Sequence, residues 1–219
     1  MTTMLYQGHG SYRFTMNDGT VVYVDPFAGE GYDAPADLIL VTHEHFDHNH
    51  VDKMPHAEGC TIVRGEPIAA KLHAARRAGA PFAGNDFEVE SHGVRILPVQ
   101  AQNGHHPIDK CVGFVLWFDD VSFYAAGDTS TTDDMRDGNL AGLHLDYAVF
   151  PMDGKYNMGV DEASECARRV NAAHSIPVHM VPVDNPNDPS QLFDAKKAEA
   201  FNAPGKLILH PGDRIELAH

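Results

Sequence analysis

Four side chains that can bind a metal ion lie within six residues of one another, directly after a short apolar run. The run, residues 38–41, is unbroken and suits a strand that is buried on both faces. His43 and His45 follow it, and on an extended chain such i and i+2 side chains point to the same side, where they can bind one ion. If the chain then turns, Asp47 and His48 face a second ion beside the first.

The donor types of this segment favour a transition metal. Imidazole suits zinc, iron and similar metals, and a carboxylate can complete a mixed nitrogen and oxygen site. The alternative is a polar surface loop that happens to contain histidines. The buried strand before the loop and the regular spacing of its donors favour the metal site.

The elements that must position this loop begin with two strands, predicted over residues 4–14 and 20–24. Asn17-Asp18-Gly19 joins them, and Asp-Gly between apolar runs is a strong hairpin signal. Pro26 lacks a backbone donor, so the second strand must leave the sheet there. Asp25, just before it, is either an ordinary strand-end residue or an acceptor that orients a metal-binding histidine.

Strands outnumber helices in the rest of the chain, and helices recur between groups of strands. Periodicity and turn residues predict further strands over residues 61–64, 87–90, 94–100, 112–118, 121–125, 145–151, 176–180, 206–209 and 214–217. They predict helices over residues 66–78, 161–172 and 189–201. No linker or low-complexity segment divides the chain, so residues 1–219 are predicted to form one domain.

Three further polar sites follow predicted strands. They are the adjacent pair His105 and His106, then Asp128, then His179. Each of these alone is more typical of a surface or core residue than of a ligand. Together with the first loop, they supply the number of donors that a two-metal site requires.

Composition limits the classes of partner. The formal net charge of -15 argues against a nucleic-acid partner and against docking on an anionic membrane. The three cysteines are widely spaced, which favours a reduced, cytoplasmic setting. No signal peptide is visible at the N-terminus, and no apolar run is long enough for membrane insertion. The oligomeric state cannot be predicted.

The segment Thr42-His43-Glu44-His45-Phe46-Asp47-His48 resembles the His-x-His-x-Asp-His signature of the metallo-β-lactamase superfamily. Ala126-Gly127-Asp128-Thr129 and Ile176-Pro177-Val178-His179 extend the resemblance over nearly the whole chain. It implies two divalent metal ions, zinc or manganese, with iron as a further candidate. It also implies a set of ligands for each ion: His43, His45 and His106 for one, Asp47, His48 and His179 for the other, and Asp128 bridging both. His105 is the alternative to His106.

The resemblance also implies a fold and an activity. The fold is the α/β, four-layer αβ/βα sandwich, with two mixed sheets packed together and helices outside. The activity is that of a binuclear hydrolase, in which a metal-bridged hydroxide attacks an ester, lactone or phosphodiester bond. Asp47, His48 and Asp128 are the residues expected to be catalytic, with Asp47 orienting the nucleophile or passing a proton to the leaving group.

Two sequence features suggest a branch and a chemistry within the superfamily. Gly8-His9-Gly10-Ser11, Asp25-Pro26-Phe27 and residues 157–163 resemble the compact branch of L-ascorbate-6-phosphate lactonase and N-acyl-phosphatidylethanolamine phospholipase D. Position 45 is His rather than the Glu that is typical of flavodiiron oxygen reductases, which favours hydrolysis. An iron-dependent redox enzyme and a non-catalytic metal-binding protein are the alternatives.

Loops around the site are expected to select a small-molecule substrate. They are residues 27–35, 46–55 and 153–159. Lys155 and Tyr156, in the Gly-flanked third loop, are either contacts for an anionic substrate group or solvent-exposed residues. His210 is either a strand-end residue or part of the pocket lining.

Overall fold

The apolar runs form two six-stranded sheets in the computed structural model, which describes residues 1–83, 86–182, 188 and 191–219. In spatial order the first sheet contains β12 (Arg214–Glu216), β1 (Thr3–Gly8), β2 (Ser11–Thr15), β3 (Val21–Val24), β4 (Ala36–Val41) and β5 (His56–Arg64). The second sheet contains β11 (His174–Val178), β10 (Tyr147–Pro151), β9 (Val121–Ala125), β8 (Val112–Phe118), β7 (Val94–Gln100) and β6 (Val89–Ser91). Both sheets therefore draw on strands that are mostly consecutive in sequence.

Each sheet is mixed, and the two follow the same plan. In the first sheet, the pairs β12–β1, β1–β2 and β2–β3 are antiparallel, and the pairs β3–β4 and β4–β5 are parallel. In the second sheet, the pairs β6–β7, β7–β8 and β8–β9 are antiparallel, and the pairs β9–β10 and β10–β11 are parallel. The carboxyl ends of the parallel strands in each sheet thus lie at one edge, where open α/β sheets usually bind ligands.

The main core lies between the two sheets. Phe14 of β2 packs against Phe118 and Phe123 of the second sheet, with both pairs of ring centroids 4.9 Å apart. Tyr12 adds a contact to Phe123 at 5.4 Å. Because all four rings are almost fully buried, burial of their apolar surface is a large contribution to holding the sheets together.

Helices cover the outer face of the second sheet. They are α2 (Asp133–Arg136), α3 (Val160–Val170) and α4 (Ala195–Ala200), while α1 (Glu66–Arg77) packs on β7 and β8. On the outer face of the first sheet, Tyr23 and Ile39 are buried beneath the loop containing Tyr32 and a 3-10 helix at Val51–Lys53. This architecture confirms the predicted two-sheet metallo-β-lactamase sandwich.

One predicted strand is wrong in a way that matters for the site. Residues 4–14 do not form one strand, because the chain turns between β1 and β2 at Gly8 and His9, whose φ angles are 118° and 53°. Glycine adopts positive φ without strain, and histidine is among the residues that tolerate it best. The turn places the His9 side chain at the edge of the sheet.

The strand predicted over residues 61–64 begins earlier, at His56. The other predicted elements agree with the structure within a few residues, with two exceptions near the C-terminus. Residues 206–209 contribute only an isolated bridge between Lys206 and Ser175. The helix predicted over residues 189–201 begins at Ala195, because the Asp194 side chain accepts hydrogen bonds from the backbone N–H groups of Lys196 and Lys197 and caps it there. Residues 189 and 190 of that prediction lie outside the described residues.

Candidate metal centre

The side chains that can bind metal converge at the carboxyl ends of strands from both sheets. The loop after β4 provides His43, His45, Asp47 and His48. His106 comes after β7, Asp128 after β9 and His179 after β11. The structure thus brings together every residue of the predicted ligand set, from position 43 to position 179, at the interface between the two sheets.

His43 is oriented by a chain of two hydrogen bonds. The Thr42 hydroxyl donates its only proton to Asp25 Oδ2 at 2.7 Å, so it must accept from His43 Nδ1 at 3.0 Å. The ring is therefore protonated on Nδ1 and presents the lone pair of Nε2 to the centre. His43 Nε2 is buried and has no hydrogen-bond partner among the described residues.

Two more histidines are held by hydrogen bonds in the same sense, and a third faces a carboxylate at ion-pair distance. His48 Nδ1 donates to Asp25 Oδ2 at 2.9 Å, and His106 Nδ1 lies 2.9 Å from the side-chain oxygen of Asn103. That Asn103 oxygen also accepts the backbone N–H groups of His105 and His106, which fixes its role as acceptor. His179 Nδ1 lies 3.3 Å from Asp153 Oδ2. Each ring consequently directs Nε2 inward, and such partners commonly orient metal-binding histidines.

His45 completes the first group through Nδ1, whereas the other histidines present Nε2. Its Nδ1 lies 3.1 Å from His106 Nε2, and the His43 and His45 ring centroids are 4.7 Å apart. The candidate ligand atoms of His43, His45 and His106 all lie within 4.8 Å of one another. This spacing matches three nitrogen donors around one ion.

Asp128 lies between the two groups of ligands. Its Oδ2 is 3.2 Å from His106 Nε2 in the first group and 3.4 Å from His179 Nε2 in the second. Its Oδ1 is 3.3 Å from His48 Nε2. Gly127 permits this approach, since a Cβ there would lie 2.9 Å from Cβ of Thr42 and the residue has a φ of 62°. The Asp128 carboxylate therefore faces both groups, as a bridging ligand must.

The electrostatics of the cluster show how strongly its charges interact. Burial would raise the pKa of Asp128, but the adjacent His179 and His48 hold it well below its usual range. Burial would likewise lower the pKa of His179, but the Asp128 and Asp153 carboxylates outweigh it and raise that pKa to about 9. For His43, burial and the nearby His48 place the pKa well below its ordinary value. A neutral ring of this kind is ready to bind a metal ion.

The structure distinguishes the two adjacent histidines and places His210 elsewhere. His106 is 2% exposed and reaches the cluster, whereas His105 is exposed and its ring lies 5.3 Å from that of Tyr156. His210 packs its ring against Phe193 at 4.4 Å and lies outside the cluster. The role of Asp25, for which the sequence left two alternatives, is now clear: the side chain is buried and accepts hydrogen bonds from His48 and Thr42.

Three polar residues of the site were not identified as functional from the sequence. His9 Nε2 lies 3.1 Å from Asp47 Oδ2. Asn157 donates to Asp128 Oδ2 and to Asp153 Oδ2, both at 2.9 Å, and so links a candidate bridging ligand to the partner of His179. The available signals were the presence of His9 and Asn157 in the short motifs at residues 8–11 and 157–163, and that of Asp153 in the loop at residues 153–159.

A cavity of about 560 Å³ opens onto the cluster. Its wall combines ligand side chains with an aromatic and cationic rim, and Phe46 remains 65% exposed there. This volume suits a small molecule. The lining residues are His45, Phe46, Asp47, His105, His106, Asp128, Lys155, Tyr156, His179 and Pro182.

The residues present fit a bound metal. The Nε2 atoms of His43, His48 and His179 are all buried without a hydrogen bond of acceptable geometry among the described residues. Buried polar atoms are normally satisfied, and an orphaned one requires a reason. A common reason for three such atoms in a histidine and aspartate cluster is a metal ion that they bind.

Comparisons with known proteins agree with this chemistry. A family profile described as a beta-lactamase superfamily domain matches residues 3–179. A UPF0173 metal-dependent hydrolase of Methanoregula boonei is 35% identical over 171 residues, which cover 72% of this chain and 73% of the relative. The corresponding protein of Thermococcus onnurineus is 28% identical over 232 residues, covering 99% and 100% of the two chains.

Solved structures show the same fold. Igni18, a metallo hydrolase from Ignicoccus hospitalis, has a TM-score of 0.64 at 19% identity and covers 100% of both chains. The isothiocyanate hydrolase from Delia radicum gut bacteria has a TM-score of 0.65 at 16% identity, covering 99% of this chain and 100% of that one. At such identities the likeness concerns the fold alone, whereas the profile and the relatives of higher identity show the family. The chain therefore belongs to the metallo-β-lactamase superfamily and is a metal-dependent hydrolase.

Proposed function

We propose that the protein is a binuclear hydrolase that cleaves an ester, lactone or phosphodiester bond in a small substrate with a negatively charged group. The position of Asp128 carries this proposal, because its carboxylate lies between the two groups of ligands, with Oδ2 close to His106 of one group and to His179 of the other. His43, His45 and His106 would hold one ion, and Asp47, His48 and His179 the other. Two neighbouring divalent ions lower the pKa of water between them and polarise a substrate oxygen.

The protein's own residues supply orientation and exclusion of water. Asp25, Asn103 and Asp153 fix the histidine rings, so little reorganisation is needed as charge develops in the reaction. Asp47 is partly exposed at the cavity and is the residue best placed to orient a nucleophile or pass a proton to the leaving group. Phe46, Tyr156 and Pro182 provide the apolar part of the cavity wall.

Lys155 supports an anionic substrate. It lines the cavity, and Asp153 Oδ1 fixes its loop by accepting the backbone N–H groups of Lys155 at 2.7 Å and Tyr156 at 2.6 Å. Lys155 Nζ lies 4.6 Å from the centroid of the Tyr156 ring. Among the described lining residues it is the only lysine or arginine, in a chain whose net charge of -15 would otherwise repel an anion.

Metal analysis combined with a substrate panel tests the proposal. Protein purified without added metal is expected to contain about two equivalents of zinc or manganese and to hydrolyse at least one lactone, phosphodiester or carboxylic ester. One ion at most after reconstitution, or no turnover of any substrate class with two ions bound, contradicts it. Bound iron with consumption of oxygen would instead favour a redox enzyme.

A further inference from the structure

Asp47 differs from the other candidate ligands in how it is held. Its side chain is 17% exposed, whereas the other candidate ligands except His45 are buried. Among the residues that the structure describes, its carboxylate makes one hydrogen bond, to His9 Nε2. We propose that His9 is a positioning residue that holds Asp47 as a metal ligand, an inference that rests on the proposed two-ion centre.

The backbone of His9 is fixed by two hydrogen bonds to its carbonyl oxygen. Its carbonyl oxygen accepts the Tyr6 hydroxyl at 3.1 Å and the backbone N–H of His179 at 2.9 Å. The second of these bonds ties the turn between β1 and β2 to the end of β11, in the other sheet. His9 is therefore anchored to a residue of the same group of ligands that Asp47 joins.

The His9 ring is also fixed by packing. It is 1% exposed and lies against the ring of His179, with centroids 3.5 Å apart. The Phe27 ring lies 5.6 Å away. A ring so confined keeps one orientation, so its hydrogen bond costs little entropy when it forms.

The direction of the hydrogen bond follows from chemistry. An ionised Asp47 can only accept, so His9 Nε2 carries the proton and donates it. A neutral ring protonated on Nε2 has its remaining lone pair on Nδ1, and Nε2 is then no metal ligand.

The bond places the carboxylate where a ligand is needed. Asp47 Oδ2, which accepts from His9, lies 3.9 Å from His179 Nε2 and 4.0 Å from His48 Nε2. Without the donor, the Asp47 side chain is free to rotate into the cavity. His9 thus aims Asp47 at the point shared with the two histidines.

A matched pair of substitutions separates hydrogen bonding from packing. Gln retains a side-chain N–H donor, whereas Met has a similar length and no donor, and both experience the same positive φ at position 9. Metal-free parent, His9→Gln and His9→Met proteins are titrated with Co²⁺, and each binding step is followed by visible absorption and by competition with a chelator. Circular dichroism and thermal unfolding verify that each variant is folded.

We expect His9→Met to weaken one of the two binding steps by about 10–100-fold and to leave the other unchanged. His9→Gln should bind both ions nearly as tightly as the parent. In an Asp47→Ala background, His9→Met should cause no further loss, because His9 acts through Asp47.

Three outcomes would overturn the inference. They are tight binding of both ions by His9→Met, equal losses in His9→Gln and His9→Met, and an undiminished effect of His9→Met in the Asp47→Ala background. The number of Co²⁺ ions bound by the parent protein distinguishes failure of the role of His9 from failure of the proposed function. A parent that binds only one Co²⁺ refutes the two-ion centre itself, whereas two ions in the parent and in His9→Met refute only the role of His9.

Discussion

The Nδ1 atom of His48 donates a hydrogen bond of 2.9 Å to Asp25 Oδ2, and both side chains are 1% exposed. Asp25 also accepts the backbone N–H and the hydroxyl of Thr42, each at 2.7 Å. Through these contacts one carboxylate at the end of β3 orients His48 directly and His43 indirectly. Asp25 therefore influences both candidate metal sites without facing either ion.

Replacing Asp25 should weaken metal binding although it is no ligand. Asp25→Asn keeps the size of the side chain but removes its charge, and we expect metal affinity or turnover to fall by about 10–100-fold. Competitive titration with a chelator measures the change. Asp37→Asn is the matched control, since Asp37 accepts a backbone N–H from Val21 in the same sheet and makes no hydrogen bond or ion pair with a histidine among the described residues. Equal affinities of the two variants would contradict the role of Asp25.

Loss of a candidate ligand should abolish turnover. In Asp128→Ala and in His45→Ala, we expect less than about 1% of parental turnover and a lower metal content, because the loss of a ligand should exceed the effect of its supporting partner. Elemental analysis and kinetics on the same preparation check both quantities. The exposed Asp137→Ala should behave as the parent does. Full activity with unchanged metal content in either ligand variant would refute the assignment.

The adjacent histidines should differ sharply. His106→Ala removes a buried nitrogen 3.2 Å from Asp128 Oδ2, so we expect it to lose metal. His105→Ala alters only an exposed ring at the cavity rim and should retain the parental metal content. Metal analysis of both variants decides between them. Loss of metal in His105→Ala alone would reverse the assignment.

Lys155 should affect substrate binding rather than the metal centre. Lys155→Met removes the charge and keeps the length of the side chain, and we expect KM for an anionic substrate to rise about fivefold while the metal content is unchanged. Lys155→Arg should retain most of the affinity. A neutral substrate of similar shape is the control, and an unchanged KM for every anionic substrate would remove Lys155 from the proposal.

The first ligand loop could be predicted because its donors are neighbours in sequence. The geometry of this segment follows from its local sequence, because strand alternation and one turn place the side chains of His43, His45, Asp47 and His48. His106, Asp128 and His179 are different. Their convergence depends on how two sheets pack, and the sequence indicated it only through resemblance to a family.

The residues that orient the ligands were harder to identify. Asp153 and Asn157 lie in a predicted loop, yet their partners His179 and Asp128 are distant in sequence, and no local pattern encodes these contacts. His9 was hidden for another reason. The turn at Gly8 and His9 interrupts a run of strand-forming residues, so the alternation of that run predicted one strand where the chain folds back.

The donors after β4 belong to one sheet, while His106, Asp128 and His179 belong to the other, so bound ions would cross-link the two halves of the molecule. An unfolded chain gains less from such ions, because only the four donors after β4 are neighbours in sequence and the other three are distant. Full metal affinity would then appear only after the sheets have packed, and ions would stabilise the finished fold more than its early intermediates. Metal loading would in that case distinguish molecules whose two sheets have packed from those that are still incompletely folded.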